Sequence, residues 1–352
     1  MKGNIKILYI LVCLLTNADN SIKILKDTNI IKVKFQKQKL QLNYVKFCHE
    51  CSSIKRLCPS MLSYPIYKYP GSNISLSNLS ELRLVSGLNH NDLYHEFAQI
   101  CRSIEKIYIE LYYDLSGAAE LIEMQKQIKY LYVKEYDNNC EKINQALEKH
   151  ANSIVCFVLI IKTCKLSLHD TLLPKLINLQ QLGIVMDNPY SKLKHGILYI
   201  IYYVLQTLEL LCVLLDIAID IIQNTNGNLW RIKIRLVGFD QVKEYNQTIH
   251  KHCPNIKYVT LFLKDDETLK ELENIFIKCQ HLVAIDISTD IPVELHDKFL
   301  DLLVKSAPLT LYKFHIGNIA SFDKKTYKYK EIIELNYYSD DFWDYENIWN
   351  NI

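Results

Sequence analysis

The chain has 352 residues, and its 41 Lys and Arg nearly balance its 39 Asp and Glu, giving a formal net charge of +2. This balance provides no long-range attraction to nucleic acid or to an anionic membrane surface. A content of 49% hydrophobic and 23% charged residues excludes a disordered chain. Eleven scattered cysteines, an odd number, argue against the disulfide framework of a small secreted protein and favour a reducing compartment, the cytoplasm or the nucleus.

The N-terminal segment, residues 1–45, has two interpretations. Its first 18 residues have the layout of a signal peptide, with two lysines, an apolar run and a small-residue cleavage site. A secreted chain would then carry glycan acceptors at Asn73, Asn78 and Asn246. The unpaired cysteines favour the other interpretation, in which this segment is an N-terminal cap on an intracellular protein.

A short pattern recurs eleven times after this segment: an aliphatic residue, two variable residues, an apolar one, a variable one and an apolar one. The eleven units begin at Ile54, Leu79, Ile104, Ile128, Ile154, Leu179, Leu205, Leu229, Ile256, Leu282 and Leu311. Successive units lie 24 to 29 residues apart, which is the period of leucine-rich repeats, roughly 20–29 residues. Eleven units in such near-register indicate a repeat architecture.

The end of each unit alternates apolar and variable residues, as a strand with one buried face does. Between units lie segments with helical spacing, such as residues 267–279 and 296–307. Because one strand and one helix bury too little surface alone, stacked units must share a core. The sequence therefore predicts an α/β leucine-rich-repeat solenoid over residues 46–333, a horseshoe with parallel strands on its concave face and helices on its convex face.

Cysteines recur three residues before the first aliphatic of a unit, at Cys51, Cys101, Cys253 and Cys279. This position predicts packing of the cysteine between a helix and the next strand. Two clusters are nevertheless typical of metal ligands. They are Cys48, His49, Glu50, Cys51 and Cys58 in the first, and His250, His252 and Cys253 in the second. Neither supplies the two spaced pairs of a structural zinc site, so no metal is expected.

An apolar run over residues 197–215 is long enough to suggest a membrane span. It contains Gln206 and Glu209, and its leucines fall on the repeat, so a buried unit is expected and no membrane contact. The sequence also has no G-x-S-x-G, no Walker-type loop and no G-x-G-x-x-G. We therefore expect no catalytic residues, no cofactor and no enzyme activity.

Several repeat fragments share a distinctive sequence pattern: ECSSIKRL at 50–57, LSELRL at 79–84, CRSIEKIYI at 101–109, HCPNIKYVTL at 252–261 and SAPLTLYKF at 306–314. Over residues 45–335 the chain resembles the F-box/leucine-rich-repeat family expanded in mycorrhizal fungi. The resemblance implies an F-box that docks on a Skp-type adaptor of a cullin–RING ubiquitin ligase. It also implies a solenoid that selects the protein substrate.

The chain departs from that family at its N-terminus. Residues 1–45 lack the early Leu-Pro and the late Trp of an F-box, and the first tryptophan is Trp230. The segments 8–17 and 21–27 resemble the second half of an F-box. We expect residues 1–45 to be a degenerate or truncated F-box or a cap, with adaptor docking only if this remnant or an upstream F-box supplies it. An adaptor-free scaffold or decoy and a secreted repeat receptor are the alternatives.

The variable third and fifth positions of each unit should point away from the core. Two groups of cationic and aromatic residues occupy these positions or follow them on the same strand: Arg83, Lys106, Tyr108, Tyr130, Tyr132 and Lys134 in one, and Arg231, Lys233 and Arg235 in the other. Such side chains dominate many protein interfaces, so we expect them to bind an acidic protein segment. The alternative is a solvated face. Residues 334–352, rich in Asp and aromatics, are expected to be a C-terminal cap or a motif for a partner.

Overall fold

The computed structural model describes residues 54–57, 66–68, 71–84, 91–112, 116–136, 140–162, 171–187, 200–235, 238 and 240–317. The predicted cap or F-box remnant, the signal-peptide alternative and the cysteine cluster at 48–58, apart from its linking residues 54–57, lie outside the described residues. So does the predicted C-terminal cap or motif at 334–352.

The chain forms two compact units. The first draws its described residues from 54–130 and 140–150, and the second from 131–136 and 151–317. The division falls inside one strand, after Tyr130.

The first unit contains three strands and four helices among its described residues. The strands are β1 (Arg56–Leu57), β2 (Glu81–Leu84) and β3 (Lys106–Leu111), and the helices are α1 (Ser72–Leu76), α2 (Asn91–Ile100), α3 (Ser116–Glu123) and α4 (Glu141–Glu148). β2 pairs in parallel with β1 on one side and with β3 on the other. Leu82 stands opposite Leu57 and Ile107 in this register, so the three side chains form one buried row.

Helices α2 and α3 approach each other closely at Gly117. A Cβ atom there would lie 2.2 Å from the carbonyl oxygen of Asn91. The backbone N–H of Gly117 donates to Oδ1 of Asn91 at 2.8 Å. Glycine is therefore required at this position, because any larger side chain would push the two helices apart.

The second unit carries a longer sheet whose strands follow the chain order from β4 to β11. They are β4 (Tyr130–Glu135, which starts in the first unit), β5 (Cys156–Ile161), β6 (Gln181–Met186), β7 (Thr207–Leu211), β8 (Arg231–Arg235), β9 (Tyr258–Leu263), β10 (Ala284–Thr289) and β11 (Lys313–Gly317). From β5 to β11, each strand pairs in parallel with the next.

All eleven strands begin two residues after the first aliphatic of their predicted unit, so the prediction of parallel strands in an α/β fold is confirmed. The fourth position of each unit forms a continuous row from β5 to β11. In order, its members are Phe157, Leu182, Leu208, Ile232, Val259, Ile285 and Phe314. Each is at most 5% exposed, and burial of one such side chain stabilises the fold by roughly 1.5–3 kcal/mol.

The described helices of the second unit are α5 (Leu215–Gln223), α6 (Val242–His252), α7 (Asp266–Lys278) and α8 (His296–Ser306). The predicted helical segments at 267–279 and 296–307 are confirmed to within one residue at each end. α7 begins at a capping box, in which Asp265 Oδ1 accepts from the N–H of Thr268 at 2.9 Å and Thr268 Oγ1 accepts from the N–H of Asp265 at 3.0 Å. These bonds satisfy two donors and fix where the helix starts.

The cysteines at the predicted packing position are buried. Cys101, Cys253 and Cys279 are fully shielded from solvent, so their predicted packing role is confirmed, whereas Cys51 lies outside the described residues. Burial raises the pKa of Cys279 to about 11 and that of Cys253 still further. Such thiols pack as small apolar groups and are poor nucleophiles.

Three other sequence features have a structural outcome. Leu205, Leu208 and Leu210 of the apolar run are buried in and before β7, and no described helix has both the length and the apolar character needed to cross a bilayer. Asn246 is fully buried and donates from Nδ2 to the carbonyl oxygen of Phe262 at 2.8 Å. Asn246 is therefore not accessible as a glycan acceptor, whereas Asn73 is exposed.

Candidate protein-binding surfaces

The predicted contact residues of the first unit form an internally paired cluster. The Arg83 guanidinium lies over the ring of Tyr108, 4.3 Å from its centroid, and Nη2 donates to Oε1 of Glu110 at 2.9 Å. Lys106, beside them on β3, is 9% exposed. Glu110 therefore compensates the charge of Arg83 within this cluster.

The predicted residues on β4 differ from one another in accessibility. Tyr130 and Lys134 are half-buried, whereas Tyr132 is 4% exposed. Cys156 Sγ on β5 lies 3.9 Å from the hydroxyl oxygen of Tyr132. Tyr132 therefore packs against the neighbouring strand and offers a partner little surface, an outcome that periodicity alone did not predict.

The second predicted group lies together on one strand, and we call Arg231, Lys233 and Arg235 the β8 strip. Arg231 Nη2 lies 3.2 Å from Oε1 of Glu209 on the adjacent strand. Lys233 stands opposite Glu209 in the register, and its burial lowers the pKa of its ammonium group below the ordinary value. Arg235 at the end of the strand is exposed. The β8 strip thus combines one exposed cation, Arg235, with two half-buried ones.

A second surface lies at the amino-terminal ends of β7 to β10, and we call it the amino-edge groove. Its volume is about 950 Å³. Its lining comes from the residues just before or at the start of four consecutive strands: Val204, Gln206, Asn228, Trp230, Asn255, Lys257, Tyr258 and His281. The groove is not marked in the sequence, because its residues lie outside the apolar pattern of each repeat.

Two aromatic rings form the floor of the amino-edge groove. Trp230 and Tyr258 meet edge to face, with ring centroids 5.8 Å apart and planes at 72°. Tyr258 is 37% exposed, and Val204 beside them is 38% exposed. Lys257 and His281 are exposed, and the described lining contains no carboxylate. The groove therefore offers an aromatic surface next to two basic groups.

The polar residue just before a unit often bonds to the preceding unit, and we call this series the pre-strand ladder. Asn178 Nδ2 donates to the carbonyl oxygen of residue 152 at 2.8 Å, and Asn228 Nδ2 to that of residue 203 at 2.9 Å. Asn255 Nδ2 donates to the carbonyl oxygen of residue 227 at 3.4 Å, and Thr310 Oγ1 donates to that of residue 280 at 3.0 Å. In each case the acceptor lies two residues before the first aliphatic of the preceding unit. The recurrent asparagine was a visible signal that sequence analysis missed.

A buried polar cluster joins helices α6 and α7. Glu271 Oε2 lies 2.9 Å from Nε2 of His250 and accepts from Asn274 at 3.1 Å, while Oε1 accepts from Gln247 at 2.9 Å. Burial alone would raise the pKa of Glu271, but these three hydrogen bonds outweigh it and bring the pKa below its ordinary value. Lys278 Nζ lies 3.3 Å from Nδ1 of the same histidine. His250 of the suggested metal cluster thus contacts Glu271 and Lys278. Among the described residues, no group of His, Cys, Asp and Glu is arranged to hold a metal ion.

Comparison with known proteins adds a distant structural likeness. No family model matches the chain, and no curated protein matches it. A crystal structure of a structural-genomics protein from Bacteroides fragilis is similar over 69% of this chain and 75% of that chain, at 13% identity and a TM-score of 0.34. Likeness at this level carries no argument about architecture or function, which therefore rest on the residues described above.

Proposed function

We propose that this chain is a leucine-rich-repeat module that binds a protein partner and catalyses no reaction. Its repeats form a horseshoe, with the strands on the concave face. One observation carries the proposal: a constant buried row runs beside outward positions whose side chains change from strand to strand. Leu208, Ile232 and Val259 continue the row, while Glu209, Lys233 and Thr260 differ in charge and size. A constant core with a variable face is how repeat proteins separate stability from recognition.

The partner, on this proposal, meets the β8 strip, where Arg231 stands opposite Tyr258 in the register. Arginine and tyrosine combine apolar area with hydrogen-bonding tips, which is why they dominate many interfaces. The cationic end of the β8 strip favours a partner with an acidic segment.

The test is capture of partners from a lysate of the source cells, with each captured protein identified and its affinity remeasured with purified material. The double variant Arg231→Glu with Lys233→Glu is expected to bind the purified partner at least tenfold more weakly, which corresponds to about 1.4 kcal/mol of binding free energy. The matched control is Lys251→Glu with Lys264→Glu, two exposed lysines outside the strands, and it is expected to bind as the natural chain does. Equal affinity of all three proteins would remove the sheet face as the binding surface.

We further propose that this binding serves substrate recognition in an F-box-type ubiquitin ligase of the cytoplasm or nucleus. The repeat fragments support it by their resemblance, and the free buried thiols of Cys101, Cys253 and Cys279 suit a reducing compartment. The second candidate is an adaptor-free scaffold: residues 1–45 carry neither the Leu-Pro nor the Trp of an F-box, so adaptor docking would need an F-box elsewhere in the protein. Co-expression with a Skp-type adaptor separates them: a stable complex supports the ligase role, and separate elution of the two proteins supports the scaffold.

A further inference from the structure

We propose that the amino-edge groove binds a short acidic peptide of a protein partner, with one large apolar side chain seated on Trp230 and Tyr258 and flanking carboxylates at Lys257 and His281. The proposal rests on the proposed function as a protein-binding module and names the kind of partner segment and where it is anchored. It concerns a surface distinct from the predicted contact residues.

The aromatic floor supplies the anchor. Trp230 is half-buried, and its edge-to-face contact with Tyr258 holds both rings in place before any partner arrives. Preorganised rings bind with a small loss of side-chain entropy. Val204 adds exposed apolar surface from the neighbouring repeat. A leucine or phenylalanine side chain would cover all three and remove their exposed area from water.

The charges select an acidic segment. Lys257 and His281 come from adjacent repeats, are exposed, and make no side-chain hydrogen bond or ion pair with the described residues. Because the described lining has no carboxylate, no acidic side chain inside the groove competes for these two basic groups. A peptide carboxylate next to the apolar anchor would meet them directly, whereas a basic peptide would be repelled.

The size and polarity of the groove suit an extended peptide. It crosses four repeats, and three strand spacings of about 4.8 Å amount to roughly 14 Å. At about 3.4 Å per residue this length accommodates some four extended residues. The Nδ2 groups of Asn228 and Asn255 already donate to the preceding repeat. The Oδ1 atoms of the same side chains are acceptors that suit peptide N–H groups.

The groove is continuous with the sheet face. Tyr258 belongs to both, because it lines the groove and stands opposite Arg231 in the register of β8 and β9. A peptide anchored on Tyr258 therefore leads onto the β8 strip, and one partner covers both surfaces.

The experiment uses fluorescence anisotropy of the full chain with a fluorescein-labelled peptide, Asp-Glu-Phe-Glu-Asp. We expect saturable binding, and at least tenfold weaker binding for Trp230→Ala and for Lys257→Glu. Lys264→Glu and Ile277→Ala, which replace an exposed cation and an exposed apolar residue elsewhere, are expected to bind as the natural chain does. Lys257→Glu changes an exposed side chain, so its loss of binding is separable from misfolding.

Two further probes define the partner class. Asp-Glu-Gly-Glu-Asp, without the anchor, and Lys-Arg-Phe-Arg-Lys, with reversed charge, are both expected to bind at least tenfold more weakly. Equal binding of the anchorless peptide, or tighter binding of a single-stranded oligonucleotide to the same groove, would overturn the proposal. If the groove variants keep full affinity for the natural partner while the β8 strip variant loses it, the groove proposal fails and the proposed function stands.

Discussion

Two stretches of the second unit share one backbone design and differ on their outward face. At the fifth position of each unit, β5 and β6 hold Val158 and Gly183, both buried and uncharged. At the same position β8 and β10 hold Lys233 and Asp286, which are charged and half-buried, with the buried Thr260 of β9 between them. The buried row runs through both stretches without interruption.

The buried row and the outward positions are therefore under different physical constraints. Side chains of the buried row must fill a fixed space between sheet and helices, so they stay apolar. Outward side chains are constrained only by their neighbours on adjacent strands, so one stretch can seal its face by packing and another can expose charge. The face of β5 and β6 therefore packs on itself, whereas the proposed binding surface lies on the face of β8 to β10.

The largest expected effect is the loss of stability caused by a cavity in the core, and we expect it in both stretches. Leu182→Ala on β6 and Leu261→Ala on β9 each leave a cavity in the core, and we expect either to lower the free energy of unfolding by about 2–5 kcal/mol. Urea unfolding followed by circular dichroism measures both. A loss below about 1 kcal/mol in one stretch alone would show that the buried face of the sheet does not support the two stretches equally.

A charge on the outward face should distinguish the stretches. Val158→Asp places a carboxylate among buried side chains, and we expect a loss of about 2–4 kcal/mol in the free energy of unfolding. Lys233→Met removes a cation that pays a desolvation cost and keeps its apolar stem, so we expect a change within about 1 kcal/mol of zero. Equal losses from both substitutions would abolish the distinction.

The carboxylate of Glu271 on α7 should make the free energy of unfolding depend on pH. Glu271→Gln is expected to lower the free energy of unfolding at pH 7 by about 1–3 kcal/mol, because charged hydrogen bonds to Gln247 and His250 are lost. The folded-state pKa of Glu271 lies below the ordinary 4.5. Its stabilisation is therefore complete above that pH and disappears as the pH falls through the folded-state pKa.

Urea unfolding at a series of pH values tests this dependence. The difference between the natural chain and Glu271→Gln should shrink in acid, whereas the difference caused by Val158→Ala on β5 should stay constant. A Glu271→Gln difference that is unchanged down to the acid limit of folding would contradict the assigned hydrogen bonds.

The smallest expected effect concerns the contact between β5 and β6. A Cβ atom at Gly183 would lie 3.1 Å from Cγ2 of Val158, so Gly183→Ala should cost about 1 kcal/mol through overpacking. Val158→Ala in the same chain removes the obstructing methyl groups, and the double variant should recover the loss. Additive losses in thermal unfolding would show that the two side chains do not touch.

The sequence predicted the strands well because burial on one face leaves a strict alternation, and residue spacing alone marks it. It predicted α7 and α8 for the same reason, from leucine spacing at 267–279 and 296–307. The pairing of Arg83 with Glu110 escaped prediction, since the two are 27 residues apart and meet only through the register of β2 and β3. The burial of Tyr132 depends likewise on its neighbour Cys156.

The amino-edge groove lay beyond sequence analysis for a further reason. Trp230, Lys257 and His281 come from three different repeats and occupy turn positions with no fixed apolar requirement. Only the stacking of consecutive strands brings them together, and each by itself looks like an ordinary surface residue.

The pre-strand ladder affects how the array can change during evolution. Its donor is a side chain that four repeats carry, at Asn178, Asn228, Asn255 and Thr310, and its acceptor in all four is a main-chain carbonyl. Every residue type supplies that carbonyl, so the joint between neighbours places no demand on the sequence of the acceptor. Whole repeats can be duplicated, deleted or exchanged without redesigning the joints, and new binding faces become available at little cost in folding.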